Sequence, residues 1–404
     1  MAASATRLGL TSFGGPVAHL GYFRREYVER RGWLDDATFA DLVGLCQALP
    51  GPASSQLGIA IGARHAGPLG GLVAWLGFTL PSAALLLLAA GYSSAAGGVA
   101  PGLSHGLALA ATAIVAQALF LMARRLTPDL LRLIMAALAA AAALLVSTPF
   151  TQLALIVLGG LAGWFVLGRF SHGPGSGATT ATGSRGGAVV SGPPRPAWRR
   201  IPAISFLAVA TFLALLLLLP LLARATGWHV VALVDAFYRS GALVFGGGHV
   251  VLPLLQASVV DPGWVGQQPF LAGYGLAQAA PGPLFSFAAF LGAVEGPQPN
   301  GLPGAVIALL AIYLPSFFLL TAALPTWDRL RGRFAPALAG VNAVVVGVLA
   351  AALVDPLWTS AVHDLADVAV VGAALGLLVV VRAPPILVVA LAAGSGLLLG
   401  AVGG

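Results

Sequence analysis

Twice in this chain an apolar run long enough for a helix is cut in the middle by two prolines around a glycine. The first break is Cys46-Gln47-Ala48-Leu49-Pro50-Gly51-Pro52 and the second is Gln278-Ala279-Ala280-Pro281-Gly282-Pro283, a shared Q-A-x-P-G-P separated by 278 − 47 = 231 residues. Proline removes an N–H donor and clashes with the preceding turn, and glycine adds freedom, so neither run continues as one helix. The surroundings decide what such a break means. Hydrophobic residues make up 58% of the 404-residue chain and charged residues only 8%, against about 25% charged in a soluble domain. Apolar runs of about 20 residues recur, which fits membrane-spanning helices and not the short alternating strands of a barrel. In lipid, unpaired backbone groups survive only where protein or a wet cavity covers them. Matched breaks in two halves of such a chain point to the binding site of a transporter.

The rest of the chain repeats in the same register. Arg7-Leu8-Gly9 and Phe13-Gly14-Gly15 answer to Arg239-Ser240-Gly241 and Phe245-Gly246-Gly247 at a shift of 232. Trp33 answers to Trp264 at 231, and Leu80-Pro81-Ser82 to Leu314-Pro315-Ser316 at 234. Apolar runs at 68–91, 103–123, 130–148 and 150–168 match runs at 303–324, 337–354, 365–381 and 385–401. Four parts are expected: a first repeat at 1–168, a Gly/Ser/Thr/Pro-rich flexible linker at 169–200, a connecting transmembrane helix within 201–228, and a second repeat at 229–404. Residues 5–20 are too broken for an ordinary span. Residues 22–36, with four arginines and four acids among aromatic side chains, predict an interfacial amphipathic helix. The N-terminus lacks the basic stretch and uninterrupted apolar core of a cleaved signal peptide.

The charges predict orientation. The net charge of +7 comes from arginine, with no lysine present, and the arginines lie between apolar runs, where they read as topology signals and not as a nucleic-acid surface. In the first half the basic places are 24–31, Arg64, 124–132 and the linker, whereas their counterparts carry Asp261, Glu295, Asp355, Asp364 and Asp367. Conversely the uncharged loop 92–101 answers to Asp328-Arg329-Arg331-Arg333. The bias changes sign loop by loop. The expected fold class is therefore an all-α integral membrane protein of two antiparallel, inverted helical repeats with re-entrant or broken helices, each P-G-P near the tip of a hairpin.

No catalytic constellation stands out, nor any set of histidines and cysteines at metal spacing, nor a nucleotide-binding loop. The chain is expected to be neither an enzyme nor an ATP-fuelled pump, and to need no cofactor. One cysteine, Cys46, excludes an internal disulfide. The remaining groups suit an anion. Gly14, Gly15, Gly246 and Gly247 allow backbone N–H groups close approach to a ligand, and helix ends at Pro50-Gly51-Pro52 and Pro281-Gly282-Pro283 carry partial charge. Arg7 and Arg239, six residues before Phe13 and Phe245, could grip two oxygens of a tetrahedral oxyanion or snorkel to the interface as anchors. Gln47 and Gln278 precede the breaks and could tie the backbone or touch the anion. Ser54, Ser55 and Ser286 follow the breaks, as donors or as helix caps. Asp41, His19 and His249 are candidates for proton coupling. A pairing with arginine for Asp41, and packing in the core for either histidine, are the alternatives.

The segments Phe13-Gly14-Gly15-Pro16-Val17-Ala18-His19-Leu20, R-R-G-W-L-D-D and L-C-Q-A-L-P-G-P resemble the chromate ion transporter family, as do Phe245-Gly246-Gly247-Gly248-His249 and Q-A-A-P-G-P. The resemblance covers nearly all of the chain outside the linker and has the family's long, two-domain form. It implies chromate efflux across the bacterial inner membrane, driven by membrane potential or proton gradient, with sulfate as a related dianion and antiparallel homologous halves. A transporter or exchanger of sulfate or another tetrahedral oxyanion is the nearest alternative, and a passive anion channel is an alternative of another class. Oligomeric state, including a homo-oligomer, stays open. The second glycine motif departs from the first in carrying Gly248 where the first has Pro16.

Overall fold

The structure, a computed structural model, describes residues 1–13, 15–95, 101–146, 149–167, 202–245, 250–325, 327 and 335–402. Gly14, Gly246, Gly247 and His249 lie outside the described residues, as does the expected linker at 169–200. Within them the chain is helical with no strand. Among the described residues, five helices are long and apolar enough to cross a membrane: Ala53–Tyr92, Pro101–Leu126, Ala203–Thr226, Gly301–Ala323 and Ala335–Ala361. The protein is a multi-pass, all-α membrane protein.

The first half runs α1 (Ala2–Thr11), α2 (Gly15–Arg24), α3 (Asp36–Ala48), α4 (Ala53–Ala95), α5 (Pro101–Leu126), α6 (Leu130–Leu145) and α7 (Pro149–Ala162). Helix α8 (Pro202–Thr226) follows. The second half runs α9 (His229–Ala242), α10 (Val251–Leu255), α11 (Gln267–Ala279), α12 (Phe287–Val294), α13 (Gly301–Ala323), α14 (Ala335–Ala352), α15 (Leu365–Gly376) and α16 (Pro385–Val402). The apolar run 5–20 splits at Ser12 between α1 and α2, while 22–36 forms the end of α2 and a π-helical turn at Arg25–Arg30. Here the charges pair among themselves: buried Glu26 accepts from Arg31 at 2.6 Å and Arg30 at 3.0 Å, with Arg7 at 3.8 Å.

Both P-G-P segments break their helices as the proline chemistry requires. Helix α3 stops at Ala48 and α4 restarts at Ala53; α11 stops at Ala279 and a 3-10 turn begins at Leu284, leading into α12. The chain then doubles back. Helix α4 is broken again at Ala66-Gly67, where Gly67 has φ +69°. The result is a hairpin whose ends meet. Trp33, ahead of α3, stacks on His65 with ring centroids 3.9 Å apart, and Gly296, just past α12, donates its N–H to the carbonyl of Trp264 at 2.9 Å. Both pairs are related by the same shift, 264 − 33 = 231 and 296 − 65 = 231. Each hairpin therefore has its two ends together, with its P-G-P at the turn between its arms.

The halves are interleaved. Helix α5 of the first packs against α15 and α16 of the second, and α14 of the second packs against α6 and α7 of the first. Glycine permits the closest crossings: a Cβ on Gly106 would strike the carbonyl of Ala392, and one on Gly340 the carbonyl of Gly159. In lipid such small-residue contacts let helices approach when no hydrophobic driving force favours association. Of the five spanning helices α8 has the most apolar stretch of 18 residues, and only 17% of that stretch is buried. Its Phe206, Leu207 and Leu217 are exposed, so α8 lies at the periphery of the described residues.

Candidate oxyanion site

The two P-G-P elbows are seated on each other's halves. Gly51 has φ +118° and donates its N–H to the carbonyl of Val244 at 2.7 Å; Gly282 has φ +98° and donates its N–H to the carbonyl of Ser12 at 2.9 Å. Val244 and Ser12 each stand one residue before a Phe-Gly-Gly, so each elbow is held at the start of the glycine motif of the opposite half. The left-handed φ at both tips excludes a side chain without strain.

Two serines complete the seats. A Cβ at Gly51 would lie 2.7 Å from the Ser316 hydroxyl, and a Cβ at Gly282 would lie 2.9 Å from the Ser82 hydroxyl. These serines belong to the repeated Leu-Pro-Ser pair, again exchanged between halves. Gln56 fastens the first elbow from within: its Nε2 donates to the Pro50 carbonyl at 2.6 Å and to Ser316 Oγ at 3.2 Å. Ser286, past the second elbow, lies 2.6 Å from Ser82, which also donates to the Thr79 carbonyl at 3.0 Å.

Tyr313 joins the two sets. Its hydroxyl accepts from Ser55 at 3.4 Å and sits beside the hydroxyls of Thr79 and Ser286. Ser55, Gln56, Thr79, Ser82, Ser286, Tyr313 and Ser316 are all at most 1% exposed. Buried polar groups in lipid are costly unless paired, and here Gln56 Oε1 has no protein partner. The cluster is uncharged and rich in hydroxyl donors and acceptors, and it lies where elements of both halves cross. Such groups can bond the oxygens of an anion without a countercharge.

The remaining residues singled out in the sequence fall around this cluster in different ways. Pro52, Pro281 and Pro283 are buried with their glycines, and Pro50, Phe13, Gly15 and Phe245 are half-buried. Gly15 opens α2 with φ +74°. Gln278 is half-buried and hydrogen-bonds Tyr274, one turn earlier; Gln47 and Asp41 are exposed on α3. Arg7 is 59% exposed and leans toward Glu26, while Arg239 is paired with Asp235 one turn away. Each arginine precedes the accepting carbonyl, Ser12 or Val244, by five residues, about 7.5 Å along a helix. His19 is buried, edge-on to Phe78 with centroids 5.4 Å apart, and its Nε2 lies 3.2 Å from the Ser12 carbonyl that also receives Gly282. Its Nδ1 is buried without a partner.

Sequence reasoning did not single out Gln56, Thr79, Ser82, Tyr313 or Ser316. The signal was available for the serines, since Leu80-Pro81-Ser82 and Leu314-Pro315-Ser316 recur within apolar runs. They served only as landmarks of register.

Comparison with known proteins gives the same picture of relatedness. The chain is 29% identical over 368 residues to a probable chromate transport protein of Synechococcus elongatus, which covers 89% of this chain and 84% of that one. It is 28% identical to the chromate transport protein of Pseudomonas aeruginosa, with 86% and 78% covered, and 27% identical to that of Cupriavidus metallidurans, with 86% and 80% covered. No solved structure matches the chain. The family model described as chromate transporter matches residues 1–164 and 231–397. On a match that spans most of both halves, the chain belongs to the chromate transporter family.

Proposed function

We propose that the protein is a secondary transporter that exports chromate across a bacterial inner membrane, driven by the membrane potential or a proton gradient. The reciprocal seating of Gly51 on Val244 and of Gly282 on Ser12 is the observation that carries this reading. It brings two broken hairpins, together with Ser12-Phe13 and Val244-Phe245, to one uncharged, hydroxyl-rich crossing, the arrangement a midplane site in a repeat-built transporter calls for. The four parts expected from the sequence, with a cytoplasmic linker at 169–200 and antiparallel repeats, give the topology of this proposal.

The glycine N–H groups at both elbow tips already bond carbonyls, so the dianion takes its hydrogen bonds elsewhere. Its donors are the hydroxyls of Ser55, Ser286 and Tyr313 and the amide groups of the Phe13-Gly14-Gly15 and Phe245-Gly246-Gly247 segments. Pro50, Gly51, Pro52, Pro281, Gly282 and Pro283 shape the walls, with Gln47 and Gln278 on the helices that lead in. Arg7 and Arg239, near the ends of α1 and α9, draw the anion toward the crossing and exchange their acidic partners as it passes. Among the proton-coupling candidates, His19 has the geometry: protonation there changes the hold on the Ser12 carbonyl and so on the second elbow. Asp41 and His249 are the alternatives. Alternating access follows when one bundle rocks against the other and the elbows exchange seats. Two charges leaving a negative interior gain about 4.6 kcal/mol per 100 mV, which favours export.

A second reading rests on the same hydroxyls. Neutral donors bond any tetrahedral oxyanion alike, so sulfate transport or exchange is the nearest alternative. Purified protein in vesicles with an imposed potential and pH gradient separates the readings. Chromate flux that follows the gradients and exceeds sulfate flux supports chromate export. Full competition by sulfate transfers the assignment to a general oxyanion carrier, and conductive flux that ignores the proton gradient indicates a passive channel.

A further inference from the structure

Away from the crossing, three side chains that could ligate a metal converge from both halves. His105 lies in the second turn of α5, in the first half; His363 and Asp367 flank the start of α15, in the second. His105 Nε2 is 2.7 Å from Asp367 Oδ1, His363 Nδ1 is 3.7 Å from Asp367 Oδ2, and the two imidazole centroids are 5.5 Å apart. One ligand atom from each residue fits within a 4.8 Å span. Ligands about 2.0–2.2 Å from a common ion fall at such spacings.

The carboxylate arrives already oriented. The backbone N–H of His363 donates to its Oδ2 at 2.9 Å, and its own N–H donates to the Asp364 side chain, which caps α15, at 2.9 Å. Its side chain is 3% exposed, whereas that of His363 is 59% exposed and leaves an open side for water or a fourth ligand. This constellation is not an echo of the repeat. The helix caps Asp129 and Asp364 align at 364 − 129 = 235, which sets Arg132 opposite Asp367 and Pro128 opposite His363. The α5 and α14 glycines align at 340 − 106 = 234, which sets Ala339 opposite His105. One end of the molecule has two imidazoles and a carboxylate where the corresponding place has an arginine.

We propose that His105, His363 and Asp367 form a binding site for a divalent transition-metal ion that pins α5 of the first half to α15 of the second. Two imidazoles and one carboxylate suit zinc, cobalt, nickel or copper over magnesium or calcium, which prefer all-oxygen shells. The ion is a clasp between halves and stands apart from the transported anion.

The test uses the full chain in detergent micelles, carrying a tag without histidines, and reads binding and not transport. Zinc is titrated calorimetrically and cobalt is followed by its visible absorption, and each is repeated with His105→Ala, His363→Ala and, as control, His65→Ala. One ion per chain is expected, with affinity lowered roughly tenfold or more by either ligand variant and unchanged by the control. Zinc should also raise the melting temperature of the parent protein and not of the His105→Ala/His363→Ala double variant. Absence of binding, or binding that persists in the double variant, overturns the site.

Discussion

Gly51 donates its backbone N–H to the carbonyl of Val244 at 2.7 Å, across the boundary between the two halves. Its φ of +118° and the nearness of Gln56 and Ser316 leave no room for a side chain. Gly51→Ala should destabilise the protein by about 1–3 kcal/mol and lower chromate flux strongly in vesicles. Gly282→Ala should do the same to a smaller degree, since its Cβ would meet Ser82 at 2.9 Å, against the 2.6 Å and 2.7 Å contacts at Gly51. A wild-type melting temperature and flux in Gly51→Ala would refute the seating.

Gln56 holds the first elbow closed. Replacing it with leucine removes the donor to the Pro50 carbonyl, a bond of 2.6 Å, and leaves Ser316 without that contact. The cost of an orphaned buried acceptor is about 1–3 kcal/mol. Flux should fall in Gln56→Leu with membrane insertion unchanged, as judged by the yield of folded monodisperse protein.

The helices were largely legible in the sequence, because uninterrupted apolar runs of spanning length have few alternatives in lipid. The run expected at 365–381 is continuous helix over those residues in the structure, and that expected at 103–123 lies within α5. The breaks were legible too, since proline and glycine act locally. Which carbonyl each elbow would rest on was not, because Val244 and Ser12 are chosen by the packing of distant segments. The arginines show the same limit. Asp235 stands four residues before Arg239, a spacing that pairs side chains on any helix, yet the partner of Arg7, Glu26, depends on how the chain turns after α1. Hydroxyl groups at Thr79 and Tyr313 are ordinary in sequence and gain meaning only from their neighbours.

Trp33 closes the first hairpin at its base. Besides stacking on His65 it lies under the Arg31 guanidinium, 5.0 Å from the ring centre. Trp33→Ala should cost roughly 1–2 kcal/mol from the lost stacking and cation–π contact. Hydrogen exchange should rise first within 53–65, while the second hairpin, whose base is held through Trp264 and Gly296, keeps its protection.

Asp35 caps α3 by accepting from the Thr38 N–H at 2.7 Å, and this bond holds its carboxyl below the usual carboxylate range. A lowered folded pKa gives a stabilisation that is complete above the unfolded value of about 3.9 and vanishes as pH falls through the folded value. Asp35→Ala should lower stability by about 1 kcal/mol near neutral pH. The difference between variant and parent melting temperatures should shrink below pH 4 as the parent's own cap is protonated.

The packing of α5 by α15 and α16, and of α14 by α6 and α7, makes each half the scaffold of the other. Neither can complete its own bundle alone, and the covalent joint between residues 167 and 202 is not what keeps them together. A protease cut in that interval should leave two polypeptides that travel as a single particle, interlocked like clasped hands.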